Sequence, residues 1–126
     1  MKTAKDFLDD AHAVVPKIST EDGIAKHQAG GSVFVDVRDP GQIAQSGTIE
    51  GAVRAPRGMI EFHADEAMEA FHIDHLKKDA ALVLICGAGG QAALAGKTLK
   101  EMGYQNVSNV GGFQAWKDAG GPVEEG

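Results

Sequence analysis

Cys86 is the only cysteine of the chain, and it stands where two contrasting stretches meet. Before it runs Leu82-Val83-Leu84-Ile85, an unbroken apolar segment that reads as a buried strand. After it come Gly87-Ala88-Gly89-Gly90-Gln91, and then Ala92, Ala93, Leu94, Ala95, Leu99 and Met102, helix formers with apolar residues at helical spacing. The first N–H groups of a helix have no intrahelical partner. Three glycines let the preceding loop fold back where a Cβ would clash. Strand, Gly-rich loop and helix N-terminus together therefore aim N–H dipoles at one spot suited to an anion, and the group at that spot is Cys86 itself or whatever its sulfur carries. The thiolate is the nucleophilic form of cysteine, and electropositive surroundings favour it. A lone cysteine after an apolar run is also a common small core residue, but a core cysteine needs no cradle of glycines.

The other residues able to do chemistry are Asp36, three arginines and a group of histidines. Asp36 sits inside the apolar strand Val33-Phe34-Val35-Asp36-Val37, and a buried carboxylate is costly unless it is paired or hydrogen-bonded. It is expected to accept loop N–H groups and pair with a nearby arginine, a structural role. Arg38 follows at the carboxyl end of the same strand, the edge where open α/β sheets bind ligands. Arg54 and Arg57 lie in a turn-forming segment after the next short strand, Ala52 to Arg54. Arginine suits forked binding of oxyanions, so Arg38, Arg54 and Arg57 are candidates for holding or steering an anionic substrate, against the plainer use of surface charge. His63, His72 and His75 stand among Asp65, Glu66, Glu69 and Asp74, with no second ligand pair at a recognisable spacing. That segment, Phe62 to Leu76, reads as a helix with a solvated face, and no metal or other cofactor is expected.

These residues have to be positioned by a small set of elements. The 126 residues suffice for one domain with an ordinary core. A content of 43% hydrophobic and 24% charged residues fits a globular chain. The net charge of −6, without a basic block, argues against a nucleic-acid or anionic membrane partner. No apolar run reaches membrane-spanning length, no signal peptide is evident at Met1 to Phe7, and a single free thiol fits the reducing cytoplasm. Residues 1–16 are expected to form an N-terminal helix, Thr3 to Val15. Thr3 and Asp6 make its capping box, Ala4, Phe7, Leu8, Ala11 and Val15 its packing side, and Pro16 its end. Residues 17–123 then alternate helices and strands: a helix from Ser19 to Gln28, the strand Val33 to Val37, a short helix Pro40 to Gln45, the cysteine strand and its helix to Met102, the strand Asn106 to Val110 and a helix Phe113 to Ala119. Phe113 and Trp116, three apart, share the core face of that last helix. Residues 124–126 are expected to be a frayed tail. Alternation of this kind implies a single three-layer α/β domain, a mostly parallel sheet flanked by helices.

Four stretches, in order, resemble the rhodanese family. Cys86 to Ala92 is similar to its active-site loop C-x-x-G-x-R-[SA], with Gln91 in place of arginine. Asp36-Val37-Arg38-Asp39 is similar to D-V-R-[ED], and Gly47 to Ala52 to G-H-I-x-G-A, with Thr48 in place of histidine. Gly111 to Trp116 and Ala119 to Val123 are similar to G-G-x-x-A-W…A-G-x-P-V. The resemblance implies a sulfurtransferase. In it Cys86 would take a sulfane sulfur from a small anionic donor such as thiosulfate, and pass it to cyanide, a thiol or a protein acceptor. The loop from Gly87 through Ala88, Gly89 and Gly90 to Gln91 would stabilise negative sulfur. Related phosphatases and arsenate reductases end a longer cysteine loop with an arginine, which this loop lacks. A binding or sulfur-carrier module without turnover is the remaining alternative, since Gln91 brings no charge.

Overall fold

The computed structural model describes residues 1–126. In chain order it contains α1 (Ala4–Val14), α2 (Thr20–Ala29), β1 (Ser32–Asp36), α3 (Pro40–Ser46), β2 (Thr48–Ile49), β3 (Val53–Arg54), a 3₁₀ turn (Arg57–Met59), α4 (Ile60–His63), β4 (Ala81–Cys86), α5 (Gly90–Glu101), β5 (Asn106–Gly112), α6 (Phe113–Asp118) and β6 (Val123–Glu124). Four strands form one parallel sheet in the order β3-β1-β4-β5. β1 and β4 align with Val35 beside Leu84 and Asp36 beside Ile85.

Alternation along the strands assigns each side chain to one of two cores. Val35, Leu82, Leu84 and Cys86 join Ala92, Ala95 and Leu99 of α5 and Ile60 of α4 on one face. Phe34, Val83 and Ile85 join Val110, Phe113 and Trp116 on the other. Burying each large apolar side chain contributes roughly 1.5–3 kcal/mol, so a one-residue slip of β4 would exchange both cores at once. The fold is thus the expected single α/β domain with a mostly parallel sheet between helical layers. α1 is laid along α5 in the same direction: Leu8 lies against Gly90, and the methyls of Val15 fill the space beside Gly96. Its N-cap is the capping box of Thr3 with Asp6.

Three segments differ from the sequence expectation. The helix expected from Phe62 to Leu76 stops at His63 and gives way to successive turns. The Asp65 carboxylate takes the Ala67 N–H at 2.9 Å, a side-chain bond that competes with helix propagation. The buried hydroxyl of Tyr104 sits between the carbonyls of Ala64 and Leu76, at 2.8 and 3.0 Å. Residues 124–126 lie against the domain: Glu124 ends β6, which pairs antiparallel with β2. The Arg54 guanidinium donates to the carbonyls of Glu125 and Gly126, each at 2.9 Å, so backbone acceptors hold what composition alone reads as a solvated tail. Phe7, assigned to the packing side of α1, is 51% exposed, because α1 seats Ala11 and Val15 inward and leaves one edge of its apolar arc in solvent.

Candidate active site

Cys86 ends β4 at the carboxyl edge of the sheet, with β1 on one side and β5 on the other. Its side chain belongs to the core between sheet and α5 and is 1% exposed. The loop of Gly87, Ala88 and Gly89 connects it directly to α5. The Gly89 N–H donates to Cys86 Sγ at 2.9 Å. Gly89 has φ 98°, a conformation in which only glycine is at ease, and its carbonyl accepts the Ala93 N–H, opening the helix. Gly87 and Gly90 keep ordinary φ values, and a Cβ on Gly87 would meet nothing within 4 Å. Of the expected cradle, Gly89 alone places an N–H on the sulfur and alone requires glycine for its backbone. Gly87, Ala88 and Gln91 are exposed. Gln91, in the first turn of α5, stands where a cation in its place would face solvent at the rim.

The three arginines separate. Arg57 starts the 3₁₀ turn, and its N–H donates to the Val37 carbonyl at 2.9 Å, while the Val37 N–H donates to the Ile85 carbonyl at 3.0 Å. Arg57 is thereby fastened one strand away from the cysteine, in a turn that packs against α5. Its guanidinium is partly exposed and meets Glu61 at 3.4 Å, a pairing too loose and too wet to immobilise it. Arg54 is turned to the carboxyl-terminal residues, including Glu124 at 3.4 Å. Arg38 is 5% exposed. It donates through Nε and Nη2 to Asp36, at 3.0 and 2.7 Å, through Nη1 to Ser46 and through Nη2 to the Gly47 carbonyl, both at 2.8 Å. Its guanidinium also stacks on the Phe113 ring, 4.6 Å from the centroid. Arg38 and Arg54 thus each make internal ties, one inside the domain and one to its last strand, and both line a small cavity with Pro40, Ile43 and Pro56. Asp36 accepts the Arg38 backbone N–H at 3.0 Å as well as the guanidinium, and the Thr48 hydroxyl at 2.7 Å. His63 Nδ1 and His72 Nε2 donate to the carbonyls of Phe71 and Leu76, at 2.8 and 3.1 Å.

Two residues not assigned to the site from sequence help build it. A Cβ on Gly112 would stand 2.5 Å from the Gly87 carbonyl oxygen, so β5 presses directly on the cysteine loop. Asn109, fully buried, donates from Nδ2 to the Gly89 carbonyl at 3.0 Å and accepts the Gly111 N–H at Oδ1 at 2.8 Å. The signal was present: an amide inside Val107-Ser108-Asn109-Val110 is as anomalous as Asp36 in β1, and a buried polar side chain has partners to satisfy.

Fold and site together define a parallel α/β domain whose one cysteine sits beneath a short loop at the carboxyl edge of the sheet. The chain belongs to the rhodanese-like domain family, whose sequence profile matches residues 19–119. A structure from Rhodopseudomonas palustris, a protein of unknown function and possible tyrosine phosphatase, is 38% identical with a TM-score of 0.91, covering 98% of this chain and 96% of that one. The polysulfide-sulfur transferase homodimer of Wolinella succinogenes is 26% identical with a TM-score of 0.74, covering 97% of this chain and 87% of that one. The Arabidopsis thaliana protein HIGH ARSENIC CONTENT 1, mitochondrial, is 36% identical over 98 residues, 71% of this chain and 55% of its own length. The chain thus spans about half of that relative. No helix is long and apolar enough to cross a membrane.

Proposed function

We propose that the protein is a sulfurtransferase that carries sulfane sulfur as a persulfide on Cys86. The observation that carries this reading is the Gly89 N–H on Cys86 Sγ at 2.9 Å, at the start of a loop too short to wrap a tetrahedral oxyanion. The Cys86 thiolate attacks the outer sulfur of thiosulfate, and the sulfur–sulfur bond breaks with its electron pair leaving on sulfite. The persulfide so formed keeps a negative terminal sulfur, which the N–H dipole and the α5 N-terminus stabilise. Cyanide or a thiolate then attacks that terminal sulfur, and the electron pair returns to Cys86. The two steps are covalent catalysis without a general base, which matches a site with no histidine at the cysteine. Arg57 on the rim attracts the anionic donor. A persulfide donor and a thiol or protein acceptor are the cellular counterparts of thiosulfate and cyanide.

Phosphoryl transfer, the reading suggested by the Rhodopseudomonas palustris relative, lacks an arginine between Cys86 and Gln91 to bind the oxyanion. A sulfur carrier without appreciable turnover is the second reading, favoured by the exposed, uncharged Gln91. The intact mass of the protein after thiosulfate, and again after cyanide, tests both. A gain of one sulfur, removed by cyanide with catalytic thiocyanate release, is expected, and Cys86→Ser should show neither. Loading without turnover would leave the carrier; turnover by Cys86→Ser would end both readings.

A further inference from the structure

We infer that Asn109 is a positioning residue for the nucleophile. Its amide fixes the one loop residue whose N–H meets the Cys86 sulfur. This inference rests on the sulfur-transfer reading for its kinetic part only.

The orientation of the Asn109 amide is dictated by its partners. The Gly111 N–H can only donate, so it faces Oδ1, and the Gly89 carbonyl can only accept, so it faces Nδ2. The backbone of Asn109 is held as well: its N–H donates to the Pro16 carbonyl at 2.9 Å and its carbonyl accepts the Ile18 N–H at 3.0 Å. A fully buried, fully satisfied side chain thus joins β5 to the start of α5. Gly89 is gripped at its carbonyl by Asn109 and Ala93, and with φ at 98° its own N–H is left pointing at Sγ. Gly112, pressed on the Gly87 carbonyl, closes the other side of the loop. Without Nδ2, the Gly89 carbonyl keeps its helical bond to Ala93 but loses the tie that sets the height of the loop over the sulfur.

Asn109→Asp preserves shape and the Gly111 contact but replaces the donor with an acceptor facing the Gly89 carbonyl; Asn109→Ala removes both bonds. In each variant kcat for thiosulfate:cyanide transfer should fall about tenfold, the scale of one lost donor to a charged acceptor, with KM for thiosulfate within about twofold. The alkaline rise in the rate of Cys86 alkylation by iodoacetamide should move to higher pH, a readout that loss of packing alone does not shift. Folded variants with wild-type kcat and a wild-type alkylation profile would overturn the inference. NMR of the wild-type protein decides it even if neither variant folds: on alkylation of Cys86 both the Gly89 amide and the Asn109 side-chain amide should shift, and an unmoved Asn109 amide would overturn it. If the wild type lacks turnover, the sulfur-transfer reading fails, while the alkylation profile and the NMR shifts still test Asn109.

Discussion

Replacing Arg38 should damage stability, not substrate binding. Asp36 is fully buried and Arg38 is 5% exposed, and Asp36 accepts the Arg38 backbone N–H at 3.0 Å in addition to the guanidinium. Arg38→Met keeps the aliphatic length over Phe113 but leaves the Asp36 carboxylate buried with the Thr48 hydroxyl and one backbone N–H. Removing one partner of a buried ion pair costs about 3–5 kcal/mol, a large part of the roughly 5–15 kcal/mol that holds a domain together. With about 2.1 cal/mol/K of unfolding entropy per residue over 126 residues, that corresponds to a fall in Tm of about 11–19 °C. Removing both charges, as Asp36→Leu with Arg38→Met, leaves no orphaned ion, so the double variant should recover at least about 1 kcal/mol relative to the sum of the single ones. Circular dichroism melts of the four proteins measure this, and assays well below the lowered Tm should give a KM for thiosulfate within about twofold of wild type. A Tm within about 4 °C of wild type together with a raised KM would refute the reasoning and return Arg38 to the substrate.

Arg57→Ala should raise KM for thiosulfate and flatten its dependence on ionic strength, whereas Arg54→Ala should leave both unchanged and make β6 easier to open, read by amide exchange at Val123 and Glu124. Gln91→Arg should raise kcat/KM for thiosulfate most at low salt, because a cation there is solvent-facing and readily screened; equal rates across salt concentrations would show that position 91 does not act on the donor. Burial pushes the Tyr104 hydroxyl up to about 12 from the ordinary 10, with Glu66 and Asp65 nearby adding to the shift. The unfolded chain then loses this proton first, so stability should decline as pH rises from about 10 to about 12, and Tyr104→Phe should make that decline shallower. As the only tyrosine, it can be titrated directly by its absorbance.

The sheet and its cysteine were legible because their residues carry strong periodic signals: the apolar runs at Val33 and Leu82, then helix formers behind a glycine loop. The capping box at Thr3 and the carboxylate of Asp36 also announced their partners, since a cap and a buried charge have few solutions. Residues 62–76 misled because polar side chains at helical spacing look alike whether they clothe a helix or a series of turns, and what decides is the distant Tyr104 hydroxyl between Ala64 and Leu76. The arginines were ambiguous for the same reason. Arg38, Arg54 and Arg57 all sit near strand ends, and only partners that folding brings together, the Gly47 carbonyl and the Phe113 ring for one and the carboxyl-terminal backbone for another, sort the structural pair from the rim residue.

Cys86 is at once the proposed nucleophile and a member of the core that includes Val37, Ala92 and Leu99. A group attached to its sulfur is therefore a packing change as much as a chemical one. An attached group that fits beneath the Gly87–Gly89 loop gains contacts in the native state that the unfolded chain lacks and raises the melting temperature; one that does not fit lowers it. A single added sulfur and a bulky alkyl group should thus shift thermal unfolding in opposite directions, which makes calorimetry a gauge of the space above the nucleophile and allows substrates to be screened without an enzymatic assay.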